Sequence, residues 1–220
     1  MGRRLFDIGA ATAALILLSP LMLLAALGIR FSSPGPVIFR APRVGLHGRR
    51  FSMFKFRTMT VASGDSGSAI TGSHDRRVYP FGRLLRHTKI DELPQLFNIL
   101  RGEMALVGPR PEDPRFVANW YRPAHQPTLE VRPGLASPGS IYNFTHGDEQ
   151  LDGPDVEAAY VERILPLKLA LDVVYVQRAS FGYDLSIVLR TLVVIVAATL
   201  GKRHFGDPPE MAEARKLALN

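Results

Sequence analysis

"IGAATAALILLSPLMLLAALGI", residues 8–29, is the stretch on which the fold turns. Its 22 residues carry no charge, and about 20 apolar residues suffice to cross a bilayer core as a helix. A cleavable leader would have a shorter apolar region ending at a small-residue cleavage site. Here the stretch runs straight on into Arg30 and "SSPGPVIFR". Two features argue against a simple span. Pro20, near the middle, lacks the N–H that would bond the Ile16 carbonyl, and its ring clashes with that carbonyl, so a kink is expected where Ser19 offers a hydroxyl. Arg3 and Arg4 precede the stretch, and Arg30, Arg40, Arg43, Arg49 and Arg50 follow it. Cations on both flanks oppose translocating either end. A helix that enters, breaks at Ser19-Pro20 and returns to the same face meets both constraints.

Outward from this segment, the 220 residues suffice for one domain with a real core. Lys plus Arg number 27 and Asp plus Glu 20, a net charge of +7. That balance calls for an anionic partner: nucleic acid, a phospholipid surface or a phosphorylated small molecule. There is no cysteine, which excludes disulfides, thiolate zinc sites and thiol nucleophiles and fits a reducing compartment. The six histidines are scattered without metal-ligand spacing.

After the apolar segment, "GPVIFRAPRVGLHGRRFSMFKFRTM" reads as two short strands around a His47-Gly48 turn. Residues 60–75, rich in Gly, Ser and Thr, read as a loop that could act as a flap following Arg57. Helices are expected over 77–87 and 92–101, then a short one over 114–121. The proline-bearing stretch 122–153 reads as irregular, with another helix near 155–170. After Arg190 only ten apolar residues run on, too few to span, so this run is expected to lie on a membrane or pack into the core. The last dozen residues read as a frayed polar end.

"KIDELPQLFNILRG", residues 89–102, places two adjacent carboxylates before an apolar pattern at Leu93, Leu96, Phe97 and Leu100. Pro94 suits a first helical turn, and Gly102 a helix stop, so the helix is expected to begin near Asp91 with Thr88 or Asp91 as cap. Acidic residues are common in first turns, yet the same position favours an anion or a metal bound to one. In "GPRP", residues 108–111, the following proline holds Arg110 extended, which suits a guanidinium presented to phosphate as well as a plain solvated turn.

Taken in order, "RRLFD", the Ser-Pro-broken apolar segment, "SPGPVIFRAPRVG", "FKFRTM", "IDELPQLFNILRGEMALVGPRP" and "VRPG" resemble the bacterial sugar transferase family, the monotopic phosphoglycosyl transferases. The resemblance covers about Arg3 to Gly134, with weaker similarity through "LDVVYVQRASFGYDLSIVLRT". It implies transfer of phospho-sugar from a nucleotide diphosphate sugar, usually a UDP-sugar, to polyprenyl phosphate, starting surface glycan assembly. It further implies Mg²⁺ as cofactor, Asp91 as covalent nucleophile and Glu92 as catalytic, metal-binding carboxylate. Lys55, Arg57, Arg110 and Arg132 match phosphate-binding basic positions, and Ser19 and Pro20 the re-entrant break.

The fold so implied is α+β and mainly helical. A re-entrant helix hairpin over 1–30 precedes a catalytic domain over 31–205, with a small β-hairpin and interfacial amphipathic helices, and a polar tail over 206–220. Its expected place is the cytoplasmic face of a bacterial inner membrane, as a monotopic protein. The expected partners are membrane lipids and the two substrates, with no nucleic acid and with a homodimer as a candidate assembly. The additional spanning helices of longer family members are missing, so the chain is read as the catalytic unit. "RPGLASPGSIYNF" departs from the family pattern of the "RPGLTGWAQV" kind, which bears on sugar or nucleotide choice, and "RGEM" stands where a "GDM"-type turn is usual. Two other classes compete. A basic membrane-anchored binding module would survive Asp91→Asn, and a Mg²⁺-dependent phosphohydrolase would use water as acceptor.

Overall fold

A computed structural model describes residues 2–60, 70, 72, 75–151 and 155–218, without the side chains of residues 148 and 149. In chain order its elements are α1 (Gly2–Ser32), β1 (Ile38–Val44), β2 (Arg50–Phe56), α2 (Pro80–His87), α3 (Gln95–Arg101), β3 (Ala105–Val107) and α4 (Pro114–Trp120). There follow β4 (Gly134–Ala136), α5 (Pro138–Gln150), α6 (Val156–Ala159), α7 (Leu165–Arg178), α8 (Phe181–Thr199) and α9 (Met211–Ala218). The expected mainly helical α+β class is what the chain adopts. Most of the 60–75 loop, expected as a flap, lies outside the described residues.

The helical pattern of α1 runs through Ser19-Pro20 without interruption. Ser19 Oγ donates to the Ile16 carbonyl at 2.8 Å, supplying the bond that Pro20 cannot make. Both arms of α1 pack on the same body. Ala11 is buried with Met53, Leu96 and Ile99, whereas Ala25 and Ile29 are buried with Phe56 and Leu85. Between these anchors Ile16, Leu17, Leu23 and Leu24 are exposed. By length and composition alone, α1 and α8 are each long and apolar enough to cross a membrane.

The expected β-hairpin is present. β1 and β2 pair antiparallel from Ile38 opposite Phe56 to Val44 opposite Arg50. His47 and Gly48 both take left-handed backbone, at φ 55° and 73°, which closes the turn. β3 and β4 form a second, parallel pair, Ala105 opposite Gly134 and Val107 opposite Ala136. The largest buried apolar cluster lies among α5, α7 and α9, around Tyr142, Ile164, Leu171, Val174 and Met211.

Four expectations need correction. Stretch 122–153 is not irregular throughout, because Pro138 opens α5: Ser137 Oγ accepts from Ser140 N at 2.9 Å, and a proline in the first turn loses no intrahelical bond. The helix expected near 155–170 continues to Arg178, through a π turn at Tyr160–Ile164 just before Pro166. The apolar run after Arg190 belongs to a nineteen-residue helix starting at Phe181, with only Ile187 and Ala198 buried, so it does not pack into the core. Residues 209–218 do not fray. Met211 and Ala214 bury against the large cluster, and Glu210 is 3% exposed, held by Arg190 and Tyr183.

Candidate active site

The site is built where α2 hands the chain to α3. Lys89 takes left-handed backbone, φ 59°, unusual for a residue with a long side chain. A 3-10 turn, Ile90–Glu92, follows, and α3 begins only at Gln95, after Pro94. Neither Thr88 nor Asp91 therefore caps α3, and the two carboxylates belong to the turn ahead of it. The buried face of α3 also differs from the apolar pattern. Gln95, Leu96, Asn98 and Ile99 face inward and Phe97 is exposed. Hydrogen bonding selects that face. Asn98 accepts from Phe54 N at 2.9 Å and donates to Ser52 O at 2.8 Å and Glu103 Oε2 at 2.6 Å, tying β2 to α3.

That tie sets Lys55, next to Phe54, opposite Glu92. Three cations converge on one oxygen: Arg110 Nη2 lies 2.7 Å, Lys55 Nζ 3.2 Å and Lys89 Nζ 3.5 Å from Glu92 Oε1. Burial by itself would raise the Glu92 pKa, but Arg110, Lys55 and Lys89 together hold it well below the usual carboxylate range. Asp91, its neighbour, goes the other way. Burial and then the Glu92 charge push its carboxyl up, against the pull of Lys55, Lys89 and Arg86. Burial brings the Lys55 ammonium down to about 8, despite Glu92. Asp91 is 6% exposed, and its Oδ1 has no hydrogen-bond donor; Gln95 Nε2 nearby has no acceptor. Buried polar atoms left unpaired are uncommon and costly, so a pair of them beside a cation cluster marks a place shaped for something else.

Arg110 arrives by a route of its own. Gly108 and Gly134 press backbone against backbone, so closely that a Cβ at Gly134 would stand 2.0 Å from Gly108 N. Gly134 N donates to Pro109 O at 2.9 Å and Gly108 N to Ala136 O at 3.0 Å, which makes the "GPRP" and "RPG" motifs one unit. Asp172 on α7, 1% exposed, accepts from Arg110 N at 2.9 Å and Gly139 N at 3.0 Å. Burial raises its carboxyl to about 6 against those two N–H groups. The Arg110 guanidinium also donates to Gln95 Oε1 at 3.2 Å and Leu135 O at 3.4 Å.

Of the residues expected from sequence, Asp91, Glu92, Lys55 and Arg110 come together. Arg57 does not join them. Its guanidinium, 5% exposed, donates to Ser33 O and Pro34 O at 2.6 Å each and to Ser33 Oγ at 3.2 Å, clamping the end of α1. Arg132 lies at the far end of α3, where its Nε donates to Gly102 O at 3.1 Å. The whole of α3, seven residues and about 10 Å of helical rise, lies between that end and the Asp91 turn. Ser19 and Pro20 sit mid-way along α1, between its buried anchors. Lys89, Gln95 and Asp172 are site residues that the pattern reading passed over. A lone carboxylate in the apolar run "LALDVVY" and polar residues at i and i+3 of α3 were the available signals.

Among the described residues no three carboxylate or imidazole side chains gather into a metal cage. Mg²⁺ commonly takes one or two carboxylates and fills the rest of its octahedron with water and phosphate oxygens. Adjacent carboxylates, one with an unpaired buried oxygen, fit that mode.

The bacterial sugar transferase profile matches residues 1–198. The chain is 39% identical over 194 residues to a UDP-glucose:undecaprenyl-phosphate glucose-1-phosphate transferase of Caulobacter vibrioides, covering 86% of this chain and 68% of that one. It is 38% identical over 196 residues to the UDP-N-acetylgalactosamine-undecaprenyl-phosphate N-acetylgalactosaminephosphotransferase of Aeromonas hydrophila, covering 88% of this chain and 43% of that one. An exopolysaccharide production protein of Rhizobium leguminosarum is 34% identical over 197 residues, 87% of this chain and 93% of its own length. The chain thus spans less than half of some curated relatives, about two thirds of another and nearly all of the Rhizobium protein. With the cation-bound Asp-Glu turn and the fused glycine motifs inside the matched range, the chain belongs to the bacterial sugar transferase family.

Proposed function

We propose that the protein transfers sugar-1-phosphate from a UDP-sugar to polyprenyl phosphate in two steps through Asp91. In the first, an Asp91 carboxylate oxygen attacks the sugar-linked phosphorus and the bond from that phosphorus to the bridging oxygen breaks. Nucleoside monophosphate leaves and an aspartyl phospho-sugar remains. In the second, a phosphate oxygen of the acceptor attacks the same phosphorus, breaking the bond to Asp91 and giving polyprenyl-diphospho-sugar. Attack by an anion on a diphosphate requires its charge to be met, and Arg110, Lys55 and Lys89 stand fixed beside the nucleophile to do so. Glu92, with Asp91, would hold Mg²⁺ against the donor diphosphate, where the ion supplies further charge neutralisation. The observation that carries this reading is the unpaired, buried Asp91 oxygen next to a carboxylate that gathers three cations.

The test is a trapping experiment with sugar-labelled donor and no acceptor. Acid-quenched protein is expected to keep label on the peptide containing Asp91, and added polyprenyl phosphate to release it as lipid product. Release of label as free sugar phosphate, unchanged by acceptor, would instead mark a hydrolase.

The proposal extends to topology: α1, whose helical pattern is unbroken at Ser19-Pro20, bends there in the bilayer, enters and returns, so that the protein is monotopic on the cytoplasmic face. Support comes from the two arms. Arg4 donates to Leu100 O at 3.1 Å and Asp7 accepts from Leu106 N at 3.3 Å, while Ile29 and Ser33 at the other end pack on the same body. A straight span would carry one end about 30 Å away. Single cysteines at Gly2 and Ser32 have no native thiol background. Neither is expected to react with an impermeant maleimide on intact cells. Labelling of Gly2→Cys alone would establish a span.

A further inference from the structure

A groove of about 530 Å³ opens between α5, α8 and residues 205–209, within the size range of small-molecule sites. Ile141 and Thr145 of α5, Gly182, Leu189 and Val193 of α8, and Phe205 give it a largely apolar lining. Its charges cancel. Arg190 is bound twice by Glu210, at 2.7 and 3.0 Å, and Asp207 pairs with Arg215 at 2.8 Å. Among the described lining residues no cation is left without an anion, and Lys202, outside the lining, rests over the Phe205 ring, so the lining favours hydrocarbon.

The two ends of the groove say which hydrocarbon. On one side Phe144, between the lining residues Ile141 and Thr145, holds its ring 4.6 Å from Lys89 Nζ, itself 3.5 Å from Glu92 Oε1. The helix that lines the groove with Ile141 and Thr145 thus also touches the cation cluster, through Phe144. On the other side α8 leaves Leu189, Leu192, Val193 and Val196 exposed, a continuous apolar flank on a helix apolar enough for a membrane. A ligand that is an anion at one end and a long neutral chain at the other fits this sequence of surfaces. The 205–209 wall, pinned by the Arg190–Glu210 pair, lies outside the residues matched by the family profile.

We propose that this groove holds a section of the hydrocarbon tail of the polyprenyl phosphate acceptor while its phosphate lies at the Lys89–Arg110 cluster. The inference rests on the transfer reaction proposed above. Part of the tail is thereby bound by protein rather than lipid, and the enzyme distinguishes acceptors by chain length.

Two variants fill the groove. A Cβ at Gly182 meets nothing within 4 Å, so Gly182→Trp enters open space, and Ser186→Phe lies one turn further along α8. With full-length enzyme, KM is measured for a long-chain polyprenyl phosphate and for geranyl phosphate. The variants are expected to narrow the preference for the long chain by about ten-fold. A preference unchanged in both folded variants, with transfer intact, overturns the groove and leaves the reaction standing. Wild-type enzyme that moves sugar phosphate to neither acceptor takes down both. Should a variant not fold, wild-type enzyme with a diazirine-bearing polyprenyl phosphate decides: label is expected within 182–194 or 205–209. Label found only elsewhere, or groove label from a phospholipid probe that excess polyprenyl phosphate does not displace, overturns the proposal.

Discussion

Arg110 and Glu112 are two residues apart on one proline-held loop, yet they serve opposite kinds of buried charge cluster. Glu112 closes a ring with Lys168 and Tyr160: Lys168 bonds Glu112 Oε1 and lies 3.0 Å from Tyr160 Oη, and Tyr160 Oη donates to Glu112 Oε1 at 2.9 Å. One cation meets one anion, and the phenol, its pKa raised by burial and then by Glu112, remains a donor. Arg110 joins a cluster where three cations meet one carboxylate while the neighbouring carboxylate keeps an unpaired oxygen. The Glu112 ring is the deeper of the two, its Lys168 and Glu112 side chains 5% and 7% exposed against 12–30% for the three cations on Glu92. Depth alone does not tell structure from chemistry; balance does. A matched buried ion set holds structure, and removing one partner is costly. An unmatched one stores affinity for a charged ligand.

Asp91→Asn should break the comparison most sharply. An amide cannot form the aspartyl intermediate, so transfer is expected to fall by on the order of 10³-fold or more. Thermal stability should not fall. A carboxyl held above its ordinary pKa is penalised once ionised, and the amide removes that penalty at neutral pH. Glu112→Gln should do the reverse. It leaves the Lys168 ammonium buried without its counter-ion, a loss of about 3–5 kcal/mol, read by denaturant titration, with activity per folded molecule much less affected. If the two variants exchange these phenotypes, the assignment of one cluster to chemistry and the other to structure is wrong.

Arg110→Lys keeps the charge and discards the fork. The guanidinium reaches Glu92, Gln95 and Leu135 at once, and an ammonium cannot. A loss of about 1–3 kcal/mol in transition-state stabilisation is expected in kcat/KM. An unchanged value would return Arg110 to a loop-anchoring role through its backbone bond to Asp172.

Lys55→Met sharpens the comparison from the stability side. The ammonium has a folded pKa of about 8, below the ordinary 10.5. A base held below its unfolded pKa costs stability while charged. That cost is fully present below about 8 and fades between about 8 and 10.5. The variant should therefore be about 1 kcal/mol more stable than wild type near neutral pH, with the difference vanishing as pH rises toward 10.5. Its rate should be about ten-fold lower, since one of three cations beside the nucleophile is gone. Wild-type activity is expected to decline as pH rises through about 8, and the variant to lack that limb.

How much of this was legible in the sequence depends on which physics set each element. The apolar stretch, the hairpin around His47-Gly48 and the short helix at α4 follow from periodicity and turn chemistry, and they were readable. Ser19 answering for Pro20 at the Ile16 carbonyl was readable too, because both residues act within one turn. What escaped was fixed by partners distant in sequence. Asn98 and Gln95 turn the polar side of α3 inward because Phe54, Ser52 and Arg110 wait there, and no local apolar pattern records them. Pro138 looked like a breaker and is a helix start. Lys89 gave no sign of its left-handed backbone. Asp91, Glu92 and Arg110 stood out through the ordered motifs, whereas Arg57 and Arg132 shared those motifs and went elsewhere.

Arg132 offers the smallest expected effect and a third term to the comparison: a cation that belongs to neither cluster. Its Nε donates to Gly102 O, and Gly102 ends α3 with left-handed backbone at φ 81°. A cation there satisfies a terminal carbonyl and meets the negative end of the helix dipole, an exposed interaction of at most about 0.5–1 kcal/mol. Arg132→Ala should lower the melting temperature by a few degrees at most, about 4–8 °C per kcal/mol in a small domain and less in a larger one. KM for the nucleotide sugar should stay at the wild-type value, because the whole of α3, about 10 Å of helical rise, lies between the Gly102 end and the Asp91 turn. Raising the salt concentration should erase the stability difference, as it would for any exposed charge acting on a helix end. A donor KM that rises markedly with no change in melting temperature would mean that Arg132 leaves Gly102 to meet the substrate. The unmatched cluster would then extend to both ends of α3, and charge balance alone would no longer delimit the site.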